Sequence, residues 1–430
     1  IPTHKILEKI CNEYGFVLYG EEILRKRRSK NGMVLSQRLL KLKLHKSTSK
    51  EESFRNEAVS FIKGMPYKKS PYSGRNWGHP WHSLCSYHGK LKPAIAHFMI
   101  HQFTSPGDII LDPLSGMGTI PLEACLQGRI GIGNDLSALA YVVNKAKLEK
   151  ASLEDCMVVV CALSEFISVT KNTKLIQNDI ERYEDFGFNG KISTYFHPDT
   201  YREILCGRRF FRARMFNLSS AEAMVFSCFL HVLHGNRPYA LSRNSHPLTP
   251  YAPKGDYIYK NVIEHIIDKL TASYKKGAFD GYLSGQALYG DYAQLVEKGI
   301  LADAIISSPP FADSIRFYMQ NWMRLWLCGW ETETYKQADM IFLDQKQKKN
   351  FDVYSSFFKM CSTVLSPYGK VILHLGKTDK VDMSAELAKR AEPYFIEVYR
   401  GSENVESIEK HGIKDKGATL EHQYLFLMKK

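Results

Sequence analysis

The feature that most constrains this chain is a short strand that must turn at once into a helix. Ile109 to Asp112 is an apolar strand pattern, followed by a glycine-containing turn and a helix pattern from Ile120 to Gln127. A second strand, Ile130 to Gly133, then ends at Asn134 and Asp135. Together these make a βαβ unit, the building block of an open, doubly wound α/β sheet. Strand signals return at Gln286 to Tyr289, Ala304 to Ser307 and Lys370 to Leu375, and Ile396 to Tyr399 and Gln423 to Met428 fit late or edge strands.

The sheet is therefore interrupted. Ala151 to about Gly285 reads as a long, mostly helical insertion carrying Arg208, Arg209, Phe210, Phe211, Arg212 and Arg214. Upstream, Ile1 to about Tyr72 reads as helical and basic, with Arg25, Lys26, Arg27 and Arg28 in one run and Lys41, Lys43 and Lys46 nearby. A turn-rich stretch, Ser70 to Pro80, then opens the next domain, and a helix begins at Pro93, a residue suited to a first turn. The expected organisation is a basic helical region over 1–75, a catalytic domain over 76–150 and 286–430, and the insertion over 151–285, read as the target-recognition region.

With 430 residues, 44% of them hydrophobic, the chain can bury a full core. Lys and Arg outnumber Asp and Glu by 58 to 45, and the net charge of +13 suits a polyanionic partner as well as it suits a plain solvated surface. The longest apolar run, Ala223 to Leu233, is interrupted by Ser227, Cys228 and His231, which argues against a membrane role. The nine cysteines lack C-x-x-C spacing and are expected to be buried, reduced thiols in a cytoplasmic, DNA-associated protein. No metal site is expected. The absence of Met at Ile1 is read as loss of the original start.

Two constellations carry chemistry. The first is Asp112-Pro113-Leu114-Ser115-Gly116-Met117-Gly118-Thr119, where the glycines let backbone approach a ligand. Pro121 replaces the third glycine of a dinucleotide fingerprint, so no pyrophosphate needs to be cradled. Asp135, at the end of the next strand, is placed to accept both hydroxyl hydrogen bonds of a ribose; alone it would read as a helix cap. The second is Ser308-Pro309-Pro310-Phe311 at the end of an apolar strand. Two prolines fix the backbone and leave acceptors, so Ser308 Oγ and the Pro309 carbonyl can hold the two hydrogens of an amino group while Phe311 stacks on its ring. An exocyclic amine has its lone pair delocalised into the ring, and two acceptors bias it toward a tetrahedral, nucleophilic form. Alone, the segment would equally read as a rigid strand-to-loop turn.

Together the two constellations resemble the amino-group DNA methyltransferases, whose cofactor motif is Asp-Pro-Phe-x-Gly-x-Gly-Thr and whose catalytic motif is Asp, Asn or Ser before Pro-Pro and an aromatic. The similarity extends to Tyr87-His88-Gly89-Lys90-Leu91-Lys92-Pro93 and Pro106-Gly107-Asp108, and covers roughly 77–141 and 286–376. It implies a Rossmann-like class I methyltransferase fold and S-adenosylmethionine as cofactor. Lys92, Pro93, Asp112, Pro113, Gly116, Gly118 and Thr119 would line the cofactor, Asp135 the ribose, Asp291 with Tyr292 the adenine, and Ser308 to Phe311 the target base.

Ser at the first catalytic position favours cytosine N4 over adenine N6 within that family. Such a base must be flipped out of double-stranded DNA before its amine can meet a donor. Transfer would be direct, without a cysteine nucleophile. A restriction-modification role, a tRNA or other RNA base as substrate, and a catalytically inactive nucleic-acid binder stand as alternatives. Arg25, Arg27 and Arg28, with Arg208, Arg209 and Arg212 of the insertion, are expected at phosphates. Leu241 to Pro253 resembles a loop of stand-alone members and would bring Arg243 and Asn244 to the nucleic acid, with Arg316 following the catalytic motif. Two departures stand out: Leu114 replaces the usual aromatic, and the insertion falls between the Asp135 and Asp291 segments.

Overall fold

The computed structural model describes residues 7, 16–31, 34–44, 49–74, 77–87, 89–236, 238–275, 279–312, 316–405, 409–410, 413–414 and 419–430. Lys46, His88 and Asp313 lie outside the described residues. The chain divides into two compact units, Ile1–Arg55 and Asn56–Lys430.

The first unit corrects the helical reading of the N-terminus. Its strands β1 (Phe16–Arg28) and β2 (Val34–Leu44) form an antiparallel hairpin whose register runs from Phe16 opposite Leu44 to Arg28 opposite Val34. The spacing of Ile23, Leu24, Leu35, Leu39 and Leu40 fits a helix in isolation, but Asn31-Gly32 between the two runs is a hairpin signal. Cross-strand pairs of opposite charge, Glu21 with Arg38 and Glu22 with Lys41, add to the pairing. The helix Lys50–Gly64 follows the hairpin.

In the second unit the boundary lies earlier than the sequence suggested, because residues 56–74 belong to this unit. The ring of Phe61 packs on Phe103, Tyr424 and Phe426, and the Tyr67 hydroxyl donates to Glu403 at 2.6 Å.

The core of this unit is a seven-stranded sheet. Its strands are β3 (Ile109–Asp112), β4 (Ile130–Asp135), β5 (Gln286–Tyr289), β6 (Ala302–Ser307), β7 (Leu365–Lys377), β8 (Phe395–Asn404) and β11 (Glu421–Lys429). The order across the sheet is β5-β4-β3-β6-β7-β11-β8, while β9 (Glu409–Lys410) and β10 (Ile413–Lys414) pair separately. The first five strands of that order are mutually parallel, and β11 runs antiparallel to both β7 and β8. Strands such as Ile110-Leu111 and Ala304-Ile305-Ile306 are apolar without alternation because both faces are covered, as a parallel sheet requires. The chain winds outward through β3, β4 and β5 and then returns to β6 on the other side of β3. The strand order reverses there, leaving a crevice at the carboxyl ends of β3 and β6.

The insertion is helical as expected: Leu153–Thr170, Lys174–Arg182, Pro198–Arg212, Ser220–Val232 and Val262–Tyr274. It shares one core with the sheet. Phe211, Phe226 and Phe229 of the insertion lie in the same apolar cluster as Leu139 and Val142 of the helix Ala138–Leu148 and Trp326 of the helix Trp322–Leu327. The eight cysteines among the described residues are free thiols; seven are buried as expected, whereas Cys161 is exposed. No helix among the described residues is long and apolar enough to cross a membrane.

Candidate active site

The crevice is built from strand ends. Asp112 closes β3, is 2% exposed, and its Oδ1 accepts the Ser307 hydroxyl at 2.6 Å from the end of β6 and the Leu114 N–H at 3.2 Å. Burial pushes its carboxyl up to about 7, against the lowering effect of those two hydrogen bonds. The turn beyond it needs glycine: Gly116 and Gly118 have φ of +48° and +66°, and a Cβ on Gly118 would stand 2.5 Å from Asn144 Oδ1.

Side chains from the following elements hold that turn open. Asn144 Nδ2 donates to the Gly116 carbonyl at 2.7 Å, and the buried Lys147 ammonium donates to the Met117 carbonyl. Asn134 Nδ2 reaches the carbonyls of Pro113 at 3.2 Å and Gly290 at 3.1 Å, joining the loops after β3, β4 and β5. Asp135 ends β4 and accepts the N–H groups of Gly116 and Ser137, each at 2.8 Å. Burial raises its carboxyl to about 6 despite those bonds. Each carboxylate oxygen still has a lone pair free for a further donor, the capacity that a ribose diol requires. At the end of β5, Asp291 caps the short helix Tyr292–Lys298 through the Ala293 N–H at 2.9 Å, and the Tyr292 hydroxyl meets the Val353 carbonyl and Ser356.

Ser308 follows β6 directly. Its hydroxyl lies 3.1 Å from His374 Nδ1 on β7. Gln347 Nε2 donates to the carbonyls of Pro310 at 2.9 Å and Phe311 at 3.0 Å, so of the two proline carbonyls expected as free acceptors, that of Pro310 is already engaged. Phe311 packs beside His374 and His422, with ring centroids 5.5 and 5.9 Å away, and over Gly376, where a Cβ would meet its ring at 2.5 Å.

One cleft joins the two motifs: Asp112, Gly116, Met117 and Thr119 line it together with Ser308, under Tyr87, Lys90 and Leu91. Lys92 and Pro93 stand apart from it. The Lys92 ammonium turns to the carbonyls of Tyr67 and Ser73, and Pro93 is buried in the first turn of the helix Pro93–Phe103. Among the described residues no group of three or more His, Cys, Asp or Glu side chains is arranged to hold a metal ion.

The expected nucleic-acid contacts divide sharply. Arg25, Arg27 and Arg28 are exposed on β1. Arg208 is a correction: it is 3% exposed, donates to the Trp326 and Trp330 carbonyls and to Glu331, and lies over the rings of Tyr183 and Trp326. Most residues of the helix Pro198–Arg212 from Thr200 to Phe211 are buried, and Arg208 among them finds a carboxylate and carbonyls to pair with. Arg209 is paired with Asp179, Arg212 with Glu331 and Arg316 with Asp339. Arg243 is tied to the carbonyls of Gly255 and Thr194 and covers Tyr257, while Asn244 is exposed and exchanges backbone hydrogen bonds with Lys254.

Six residues that position the site were not singled out from sequence: Ser307, Asn134, Asn144, Lys147, Gln347 and His374. Ser307 and Asn134 abut recognised motifs, so adjacency was the available signal. Nothing local marks Gln347 or His374.

Residues 80–195 match the family model described as RMKL-like, methyltransferase domain. A curated relative, the type II methyltransferase M.MjaII of Methanocaldococcus jannaschii, is 25% identical over 134 residues, which is 28% of this chain and 25% of that protein. The chain thus spans about a quarter of that relative's length. Among solved structures, TrmN from Thermus thermophilus aligns over 82% of this chain and 52% of its own at 13% identity and a TM-score of 0.31. The rRNA methyltransferase aviRa from Streptomyces viridochromogenes aligns over 84% and 93% at 11% identity and a TM-score of 0.32. The sheet order is that of the Rossmann-like class I methyltransferase fold, and with the family match it implies S-adenosylmethionine as the methyl donor.

Proposed function

We propose that this chain methylates the exocyclic amino group of a base lifted out of a nucleic acid, with cytosine N4 in DNA as the target. One observation carries the reading: Ser308 shares a single cleft with Asp112, Gly116 and Thr119, so an amine held at Ser308 lies within reach of a donor held on the glycine turn. S-adenosylmethionine supplies an electrophilic methyl group there.

In this reading Asp135 receives the ribose hydroxyls, Asp291 and Tyr292 border the adenine, and the turn from Pro113 to Thr119 cradles the rest. Ser308 Oγ and the Pro309 carbonyl accept the two amine hydrogens and turn the nitrogen lone pair toward the methyl carbon. Phe311 stacks on the extruded ring. Methyl transfer would exchange the carbon–sulfur bond for a carbon–nitrogen bond, and the surplus proton of the methylated nitrogen would pass to water. The resemblance of Ser308-Pro309-Pro310-Phe311 to the catalytic motif of the amino-group DNA methyltransferases supports a DNA substrate.

The test is incubation of the protein with methyl-labelled cofactor and duplex DNA, single-stranded DNA, tRNA or ribosomal RNA, followed by digestion to nucleosides and mass spectrometry. N4-methyldeoxycytidine is the expected product. N6-methyldeoxyadenosine would move the target within the amine class, label confined to RNA would overturn the DNA substrate, and a ring-carbon product would overturn amine methylation altogether.

A further inference from the structure

His374 stands behind the catalytic serine without an assigned role. Strand register puts it there: Leu373 of β7 pairs with Ser307 of β6, and His374 itself pairs with Tyr424 of β11. It is 3% exposed, and its Nδ1 lies 3.1 Å from Ser308 Oγ. Rings surround the rest of it, with centroids at 4.8 Å for His422, 5.2 Å for Tyr424 and 5.5 Å for Phe311. Burial, with His422 beside it, holds this imidazole well below the ordinary histidine range, so it is neutral at physiological pH.

A neutral imidazole carries one hydrogen, and its position decides what Ser308 can do. Nε2 is buried and has no hydrogen-bond partner among the described residues. With that hydrogen on Nε2, Nδ1 is an acceptor and the Ser308 hydroxyl donates to the ring; with it on Nδ1, the ring donates to Oγ.

We propose that His374 carries its hydrogen on Nε2 and is a positioning residue that takes the Ser308 hydroxyl hydrogen, leaving both Oγ lone pairs facing the target amine. A serine hydroxyl otherwise rotates, and in some rotamers it presents hydrogen to the amine's own hydrogens. Donation to His374 removes those rotamers and polarises the oxygen as an acceptor. The neighbouring Ser307 shows the same principle, since its hydroxyl is committed to Asp112. This inference rests on the amine-methylation reading; no proton is transferred to His374 in it.

The experiment uses the full chain and the nucleic acid on which the wild type is active. His374→Phe keeps a ring but has no acceptor, and His374→Asn restores one. Single-turnover methylation with His374→Phe should fall about tenfold, the effect of one neutral hydrogen bond, with nucleic-acid and cofactor affinities within about twofold of wild type. His374→Asn should recover most of the rate. Added to Ser308→Ala, His374→Phe should cause no further loss, because its effect passes through that hydroxyl. A wild-type rate in His374→Phe beside a slow Ser308→Ala, or losses that multiply, overturns the inference and leaves the amine reading standing. A wild-type rate in Ser308→Ala overturns the amine reading itself. Should His374→Phe not fold, the nitrogen NMR shifts of ¹⁵N-histidine-labelled wild type decide: hydrogen on Nε2 of His374 is expected, and hydrogen on Nδ1 overturns the assignment.

Discussion

Asp112 and Ser307 share a hydrogen bond of 2.6 Å between the carboxyl ends of adjacent strands, fastening the glycine turn to the strand that presents Ser308. The carboxyl of Asp112 is raised to about 7 in the fold, chiefly by burial. A group raised in this way contributes stability below its unfolded pKa near 4 and loses it as pH rises through about 7. Asp112→Asn keeps an acceptor for Ser307 and removes the titration. Relative to wild type, the variant should therefore gain stability as pH rises from about 4.5 to about 8, by up to about 4 kcal/mol. Urea unfolding at several pH values measures this, and a difference that stays flat with pH would contradict the buried, titrating carboxyl.

Asp135 offers a second test, now of cofactor binding. Its carboxylate holds the Gly116 and Ser137 N–H groups and keeps lone pairs for two more donors. Asp135→Ala should weaken S-adenosylmethionine binding by at least about tenfold, since a hydrogen bond to a charged group is worth about 1.5–3 kcal/mol. Asp135→Asn, which retains one acceptor, should fall between. Calorimetric affinities equal to wild type in both variants would place the ribose elsewhere.

What was legible in the sequence follows from the range of each interaction. The passage from Ile109 to Asp135 carries its own evidence, because strand, glycine turn, helix and strand are fixed by local preference and by burial on both sheet faces. The hairpin β1–β2 was misread since leucine and isoleucine spacing permits a helix, and the Asn31-Gly32 signal between the runs was passed over. Arg208 was misread for a related reason: its partners Trp326, Trp330 and Glu331 lie more than a hundred residues away, and a charged letter in a helix does not show which way it faces. His374 and Ser308 meet only because β6 and β7 pair in one register, which no linear spacing encodes.

Phe311 is held in a place that leaves no slack. Gly376 lies beneath its ring, and a methyl group there would stand 2.5 Å from a ring carbon. Phe311→Ala removes a stacking surface worth about 1–3 kcal/mol and should weaken capture of the extruded base as well as slow the reaction. Gly376→Ala should reproduce part of that defect with the phenylalanine still present, by pushing its ring aside. Fluorescence of a 2-aminopurine at the target position reports base extrusion in both variants. Normal extrusion in Phe311→Ala would remove the stacking role.

The arginines make the final contrast, because two sets with the same charge have opposite surroundings. Arg208 is enclosed, bonded to two carbonyls and to Glu331. Arg208→Met removes those bonds and leaves Glu331 with fewer partners, so it should destabilise the fold by about 2–4 kcal/mol. Its effect on nucleic-acid affinity, measured below the melting transition, should be small. Arg25, Arg27 and Arg28 are exposed on β1 and have no comparable structural duty. Replacing all three with alanine should leave the melting temperature nearly unchanged while flattening the dependence of log affinity on log salt by about 0.9 for each phosphate no longer neutralised, up to about 2.7. Thermal melts and salt-titrated binding to one duplex separate the two sets. If the triple variant keeps the wild-type salt slope, the hairpin does not touch phosphates. If Arg208→Met weakens the salt dependence while the fold keeps its stability, the buried role assigned to Arg208 is wrong.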